Sequence, residues 1–150
     1  MLKRTIFMIA FVGSLLSYFP CSLAGEFGSP NEAKAMLIRA ISEVKTNKIA
    51  AIEKFNKNVA LFRERDLFVF CFNSGDGKLT AHEALVTWDV RKLLDARGTP
   101  FGAQMYTTAR EGQIDEVVFI SPIAGSTVLA EKIAYISRIG DQVCGVSAFR

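Results

Sequence analysis

Histidine and tryptophan each occur once in this 150-residue chain, proline four times and cysteine three times. A lone histidine, His82, cannot build a multi-histidine metal site, and no Cys-x-x-Cys-His run is present to attach a haem. No Gly-x-Ser-x-Gly elbow presents a nucleophile, so neither metal hydrolysis nor the common serine chemistry has its parts here. No cofactor is expected. Basic residues do not gather into a stripe, which removes the electrostatic footprint that nucleic acid would need. With 50% apolar and 22% charged residues, the chain is neither disordered nor fibrous, and its length suits one globular domain.

One long apolar run is present, and it lies at the amino terminus. Lys3 and Arg4 lead into Ile6 to Leu16, and Ser22-Leu23-Ala24 places small residues where cleavage before Gly25 would fall. Gly13, Ser14, Ser17 and Pro20 break the run, which falls short of the roughly 20 residues that span a bilayer. Residues 1–24 therefore read as a secretory signal and residues 25–150 as the domain. The destination is the periplasm or the outside of the cell. Without Lys3 and Arg4 the 18 basic residues fall to 16 against 15 acidic ones, so the basic balance belongs to the signal. Without Cys21, Cys71 and Cys144 remain. In an oxidising compartment a disulfide is the default, and two buried free thiols are the alternative.

The segment Leu67-Phe68-Val69-Phe70-Cys71-Phe72 is six apolar residues between Asp66 and Asn73, with no alternation. It reads as a strand covered on both faces, central to a sheet, and Asn73-Ser74-Gly75-Asp76-Gly77 stops it with a turn. Upstream, Ala33, Met36, Leu37, Ala40, Ile41 and Val44 recur at helical spacing after Pro30. Thr46-Asn47 interrupts the phase before Ile49, Ile52 and Phe55, so the spacing predicts a bent helix or two in tandem. Downstream, Lys78 to His82 reads as a second strand of a hairpin, Asp89 as the cap of a short helix over Val90 to Ala96, and Pro100 as the start of another. Strands are expected over Asp115 to Ser121, Ala130 to Ile139 and Gln142 to Phe149, the last two joined by Gly140-Asp141. Helices, a hairpin and a three-strand meander make an α+β domain on an antiparallel sheet of about five strands.

Polar candidates are few. Asp76, Gly77, Leu79 and Glu83 fall on positions five, six, eight and twelve of an EF-hand loop, but Phe72 stands where the first carboxylate belongs, so a plain hairpin turn is the better reading. His82, Lys132, Tyr135 and Arg138 are polar groups on strands around one sheet, a set that suits a small anion or carboxylate. Period two puts Lys132 and Arg138 on one face, roughly 20 Å apart, and Tyr135 on the other, so the three cannot line one pocket of a regular strand. The more apolar alternate set, Ile133, Tyr135, Ser137 and Ile139, belongs under the helices, which favours Lys132, Arg138 and His82 on the ligand side.

The ordered set Glu32-Ala33-Lys34-Ala35-Met36-Leu37, Arg65 to Phe72, Gly77-Lys78-Leu79-Thr80-Ala81-His82, Pro100-Phe101-Gly102 and Ile139 to Val146 resembles the small exported single Cache domains, relatives of bacterial sensor modules. The resemblance implies a PAS-like fold with a long amino-terminal helix on one face of the sheet and a small ligand on the other. It departs from the family pattern at Glu83-Ala84-Leu85 and at Ile123-Ala124-Gly125. The function it implies is sensing of a small organic molecule, a carboxylate among the candidates, and signal transduction through a membrane-bound kinase or receptor. A ligand-free interaction domain with a degenerate pocket is the alternative, and an enzyme acting through His82 a weaker one.

Overall fold

The computed structural model describes residues 25–150, so the expected signal segment lies outside the described residues. Helix α1 (Pro30–Thr46) begins at Ser29, whose side chain accepts from the Glu32 backbone N–H while Glu32 reaches back to the Ser29 backbone: a reciprocal cap that satisfies two otherwise orphaned donors. Asn47 ends α1 and caps α2 (Lys48–Asn56) by accepting from the Ala50 N–H. The interruption in the apolar phase is therefore a break between two helices.

Six strands follow: β1 (Arg63–Glu64), β2 (Leu67–Asn73), β3 (Leu79–Ala81), β4 (Asp115–Pro122), β5 (Leu129–Ile139) and β6 (Gln142–Phe149). The sheet order is β1-β2-β6-β5-β4, with β3 also pairing β2, and every pairing between these strands is antiparallel. Strand β2 is covered on both faces as its sequence implies, but it is not the middle strand. β6 is, because it pairs with β5 along its whole length and with β2 from Gln142 to Val146, while β1 and β3 each cover only part of the outer edge of β2. Gly140 takes φ +61 in the turn between β5 and β6, a left-handed conformation that a side chain would strain.

Alternation divides the side chains between two cores. Leu67, Val69 and Cys71 point to the face that α1 and α2 cover, together with Ile133, Tyr135, Ile139, Cys144, Val146 and Ala148. Phe70, Phe72, Ala134, Ile136 and Val143 point to the other face, where helix α3 (Phe101–Thr108) and a single 3-10 turn (Val90–Lys92) lie over them. Cys71 and Cys144 are direct cross-strand partners with Cα atoms 4.1 Å apart, and they are disulfide-bonded.

The helix expected over Val90 to Ala96 is only that 3-10 turn. Asp89 does cap it, accepting from the Arg91 N–H, but Leu93 is already extended. Asp95 instead organises a loop by accepting the backbone N–H groups of Arg97, Thr99 and Ile120, a set of bonds that no helix could offer. Helix α3 rests closely on the turn. A Cβ on Gly102 would stand 1.8 Å from the Val90 carbonyl oxygen, so only glycine permits this approach.

Candidate functional site

The face opposite α1 is not filled. Between the sheet and the roof made by Val90, Leu93, Phe101 and Met105 lies a cavity of about 270 Å³. Phe68 and Phe70 of β2, Phe119 and Ser121 of β4, Lys132 of β5 and Ser147 of β6 form its floor, and Leu79 and His82 close one side. The hollow has a local origin: β6 contributes only the small Ser147 to its floor, the space over Gly145 being taken by Phe70 and Ile136, and α3 is eight residues long, far shorter than α1. Phe101 and Phe119 stack with ring centroids 4.4 Å apart and planes 13° apart. Both rings, with Ser121, also line a second, more open pocket under Leu94, Asp95 and Ala96, so this stacked pair is the wall between an inner chamber and an outer one.

Lys132 is the one cationic group lining the cavity. Its Nζ stands 4.3 Å from the centroid of the Phe149 ring, its cross-strand partner, and 3.5 Å from Asp66 Oδ2. That separation is an ion pair but not a hydrogen bond, and Asp66 Oδ2 is buried without any hydrogen-bond partner. Asp66 Oδ1 accepts from the Gly28 N–H at 2.7 Å. Next to it Arg65, at φ +55, donates to the Gly25 and Phe27 carbonyls, so the tight turn between β1 and β2 clasps the segment that leads into α1.

His82 lines the cavity as a neutral ring. Its Nδ1 accepts from the Ala84 and Leu85 backbone N–H groups at 3.0 and 3.2 Å, which places the ring proton on Nε2 and leaves Nε2–H as the donor available to the cavity. Burial lowers its pKa below the usual histidine value, against the opposing charge of Glu83. Phe68 meets the ring edge-on at 5.2 Å.

The sequence-predicted set thus divides. His82 and Lys132 meet at the cavity. Tyr135 is buried on the helix face with Lys34 Nζ 4.6 Å from its ring centroid, as its parity requires. Arg138 does not line the cavity. It stands at the other end of β5, where its Nε donates to the Gly140 carbonyl and faces Glu111 at 3.9 Å, because six residues of extended strand separate it from Lys132. Asp66, Ser121, Ser147 and the aromatic lining carry no site signal of their own in the sequence. Their meeting is tertiary, and no local spacing signals it. The loop after β2 is a hairpin turn in which Asn73 Oδ1 accepts from Gly75 and Asp76 N–H groups, and no metal-ligating cluster occurs among the described residues.

No protein-family model matches the chain, and no curated protein does. Solved structures do. A structure described as the periplasmic sensor domain of a chemotaxis protein superimposes with a TM-score of 0.57 at 18% identity, covering 79% of this chain and 88% of that one. A second, from work on carboxylic acid recognition by a Cache chemosensory domain, superimposes with a TM-score of 0.55 at 12% identity, covering 79% and 86%. At such identities the likeness is one of fold. The chain has the PAS-like α+β fold of a small Cache sensory domain.

Proposed function

We propose that this protein is an exported small-molecule-binding module that holds an organic anion in the cavity and reports its occupancy to a membrane-bound receptor or kinase by contact. It acts by binding rather than by catalysis. The observation that carries the reading is Lys132: it lines an apolar cavity, and its ammonium, with its neighbour Asp66 too far for a hydrogen bond, retains donors that an anionic group can take up. The His82 Nε2–H is a second donor on the same cavity, and Ser121 and Ser147 supply hydroxyls. The structures with this fold include one in which carboxylic acid recognition is described, which supports the same ligand chemistry. An oxidising compartment suits the Cys71–Cys144 bond, and among the described residues no helix is long and apolar enough to cross a membrane.

The test is a thermal-shift screen of the purified protein against small organic acids, amines and amino acids. A ligand that binds only the folded state raises the midpoint, and at a given concentration a tighter ligand raises it further. Organic acids should do so and amines should not. A second reading rests on Asp66. It stands beside Lys132 as an internal counter-ion, which suits a pocket that no longer takes a ligand and a domain that works through its surface. A screen in which no acid raises the midpoint decides for that reading.

A further inference from the structure

We infer that the ligand of this cavity is a monocarboxylate carrying a single aromatic ring, in preference to a dicarboxylate, a hydroxy acid or an amino acid. This rests on the organic-anion reading above and narrows it. Charge comes first. One cation lines the cavity, and Asp66 already stands 3.5 Å from it. A second carboxylate on the ligand would find no second cation, and its charge would add to that of Asp66 in a setting where apolar walls screen weakly. An amino acid fails for the opposite reason. Its ammonium needs an acceptor, the cavity wall includes no carboxylate, and Asp66 Oδ2 is enclosed out of reach.

Polarity and shape come next. Beyond Lys132, His82 and two serine hydroxyls, the wall is apolar, so hydroxyl groups along a ligand's body would lose their water partners without replacement. The rings of Phe68, Phe70, Phe101 and Phe119 suit a planar apolar body, since offset and edge contacts between rings add to the area they bury. Size sets the limit. At about 270 Å³ the cavity falls below the usual range for drug-sized ligands, and the stacked Phe101 and Phe119 close it toward the outer pocket. That leaves room for one ring and a short acidic arm, with the carboxylate on Lys132.

Calorimetric titration with benzoate, phenylacetate, acetate, succinate, L-phenylalanine and benzamide tests this. Benzoate or phenylacetate should bind about tenfold or more tighter than acetate or succinate, since even one or two methylenes in an apolar pocket are worth that much. Benzamide, with the ring but no charge, and L-phenylalanine, with the ring and an ammonium, should both be weaker than phenylacetate. A protein carrying Lys132→Met and Asp66→Asn together leaves no uncompensated carboxylate and keeps an acceptor for the Gly28 N–H. It should lose benzoate binding while melting cooperatively. Acetate or succinate binding as tightly as the aromatic acids overturns the aromatic preference and leaves the organic-anion reading standing. Equal binding of benzamide and benzoate, or undiminished binding by the double variant, overturns the role of Lys132 and with it both. Failure of every probe to bind overturns the aromatic inference, while the organic-anion reading stands or falls on the wider screen of acids.

Discussion

The two faces of the sheet are made by the same strands and differ in what lies over them. On the helix face, seventeen residues of α1 and nine of α2 lay an apolar stripe over Leu67, Val69, Ile133 and Tyr135, and all four are almost wholly buried. On the other face, a 3-10 turn and an eight-residue helix span the same width of sheet with fewer side chains, and the shortfall is the cavity. The difference lies in roof length, not in strand chemistry: β2 presents Leu, Val and Cys to one side and three Phe to the other, and even those large rings leave room. One face holds the fold and the other holds space.

The sharpest way to break this contrast is through the helix-face disulfide. Its 73-residue separation gives a chain-entropy stabilisation of about 4 kcal/mol, so reduction should lower the unfolding free energy by about that much. Urea denaturation with and without reductant measures it, and thiol titration of the denatured, unreduced protein should find no free Cys71 or Cys144. Next comes Leu37→Ala, which removes a fully buried side chain from the packed face and should cost about 3 kcal/mol. Phe119→Leu on the hollow face should cost less than about 1.5 kcal/mol, because the ring already borders empty space. Equal costs for the two would mean that the faces are packed alike.

The smallest effect is a pH dependence on the hollow face. Burial holds the folded-state pKa of His82 below its unfolded value near 6.5. Its contribution to stability is therefore fully present above about pH 6.5. As pH falls from there through the folded pKa the unfolded chain takes up the proton first, and the contribution is lost. Protonation also puts a hydrogen on Nδ1 where the Ala84 and Leu85 N–H groups point, so the loop after β3 should loosen along with it. Because the chain has one histidine, a single NMR titration reads this pKa without assignment, and a value at or above the model-peptide one would contradict the buried neutral ring.

Much of this contrast is legible in the sequence, and what is not has a common cause. The unalternating run from Leu67 to Phe72, the break at Asn47 and the turn at Gly140-Asp141 are each set by residues within a few positions of one another, and each is found where its local pattern puts it. Parity alone separates Lys132 from Tyr135. Period two keeps Arg138 on the ligand side with Lys132, but the structure places it at the far end of β5, away from the cavity, because parity fixes the face and not the position along it. By contrast, Val90 to Ala96 carries a plausible cap and stop for a helix, yet Asp95 is taken by N–H groups from Thr99 and from β4, a competition that a local reading does not weigh. Asp66 and Lys132 are 66 residues apart, and nothing near either announces the other.

The disulfide lies on the helix face, yet it decides which side chains floor the cavity. Cys71 opposite Cys144 is one alignment of β2 on β6. Sliding β2 by a single residue would turn the Cys71 sulfur to the side of the sheet away from that of Cys144, and would exchange Phe68, Phe70 and Phe72 for Leu67, Val69 and Cys71 beneath the roof. The closed bridge therefore acts as a latch on register: in the folded sheet it holds β2 and β6 in the alignment that gives the chamber its aromatic floor and opposes slippage out of it.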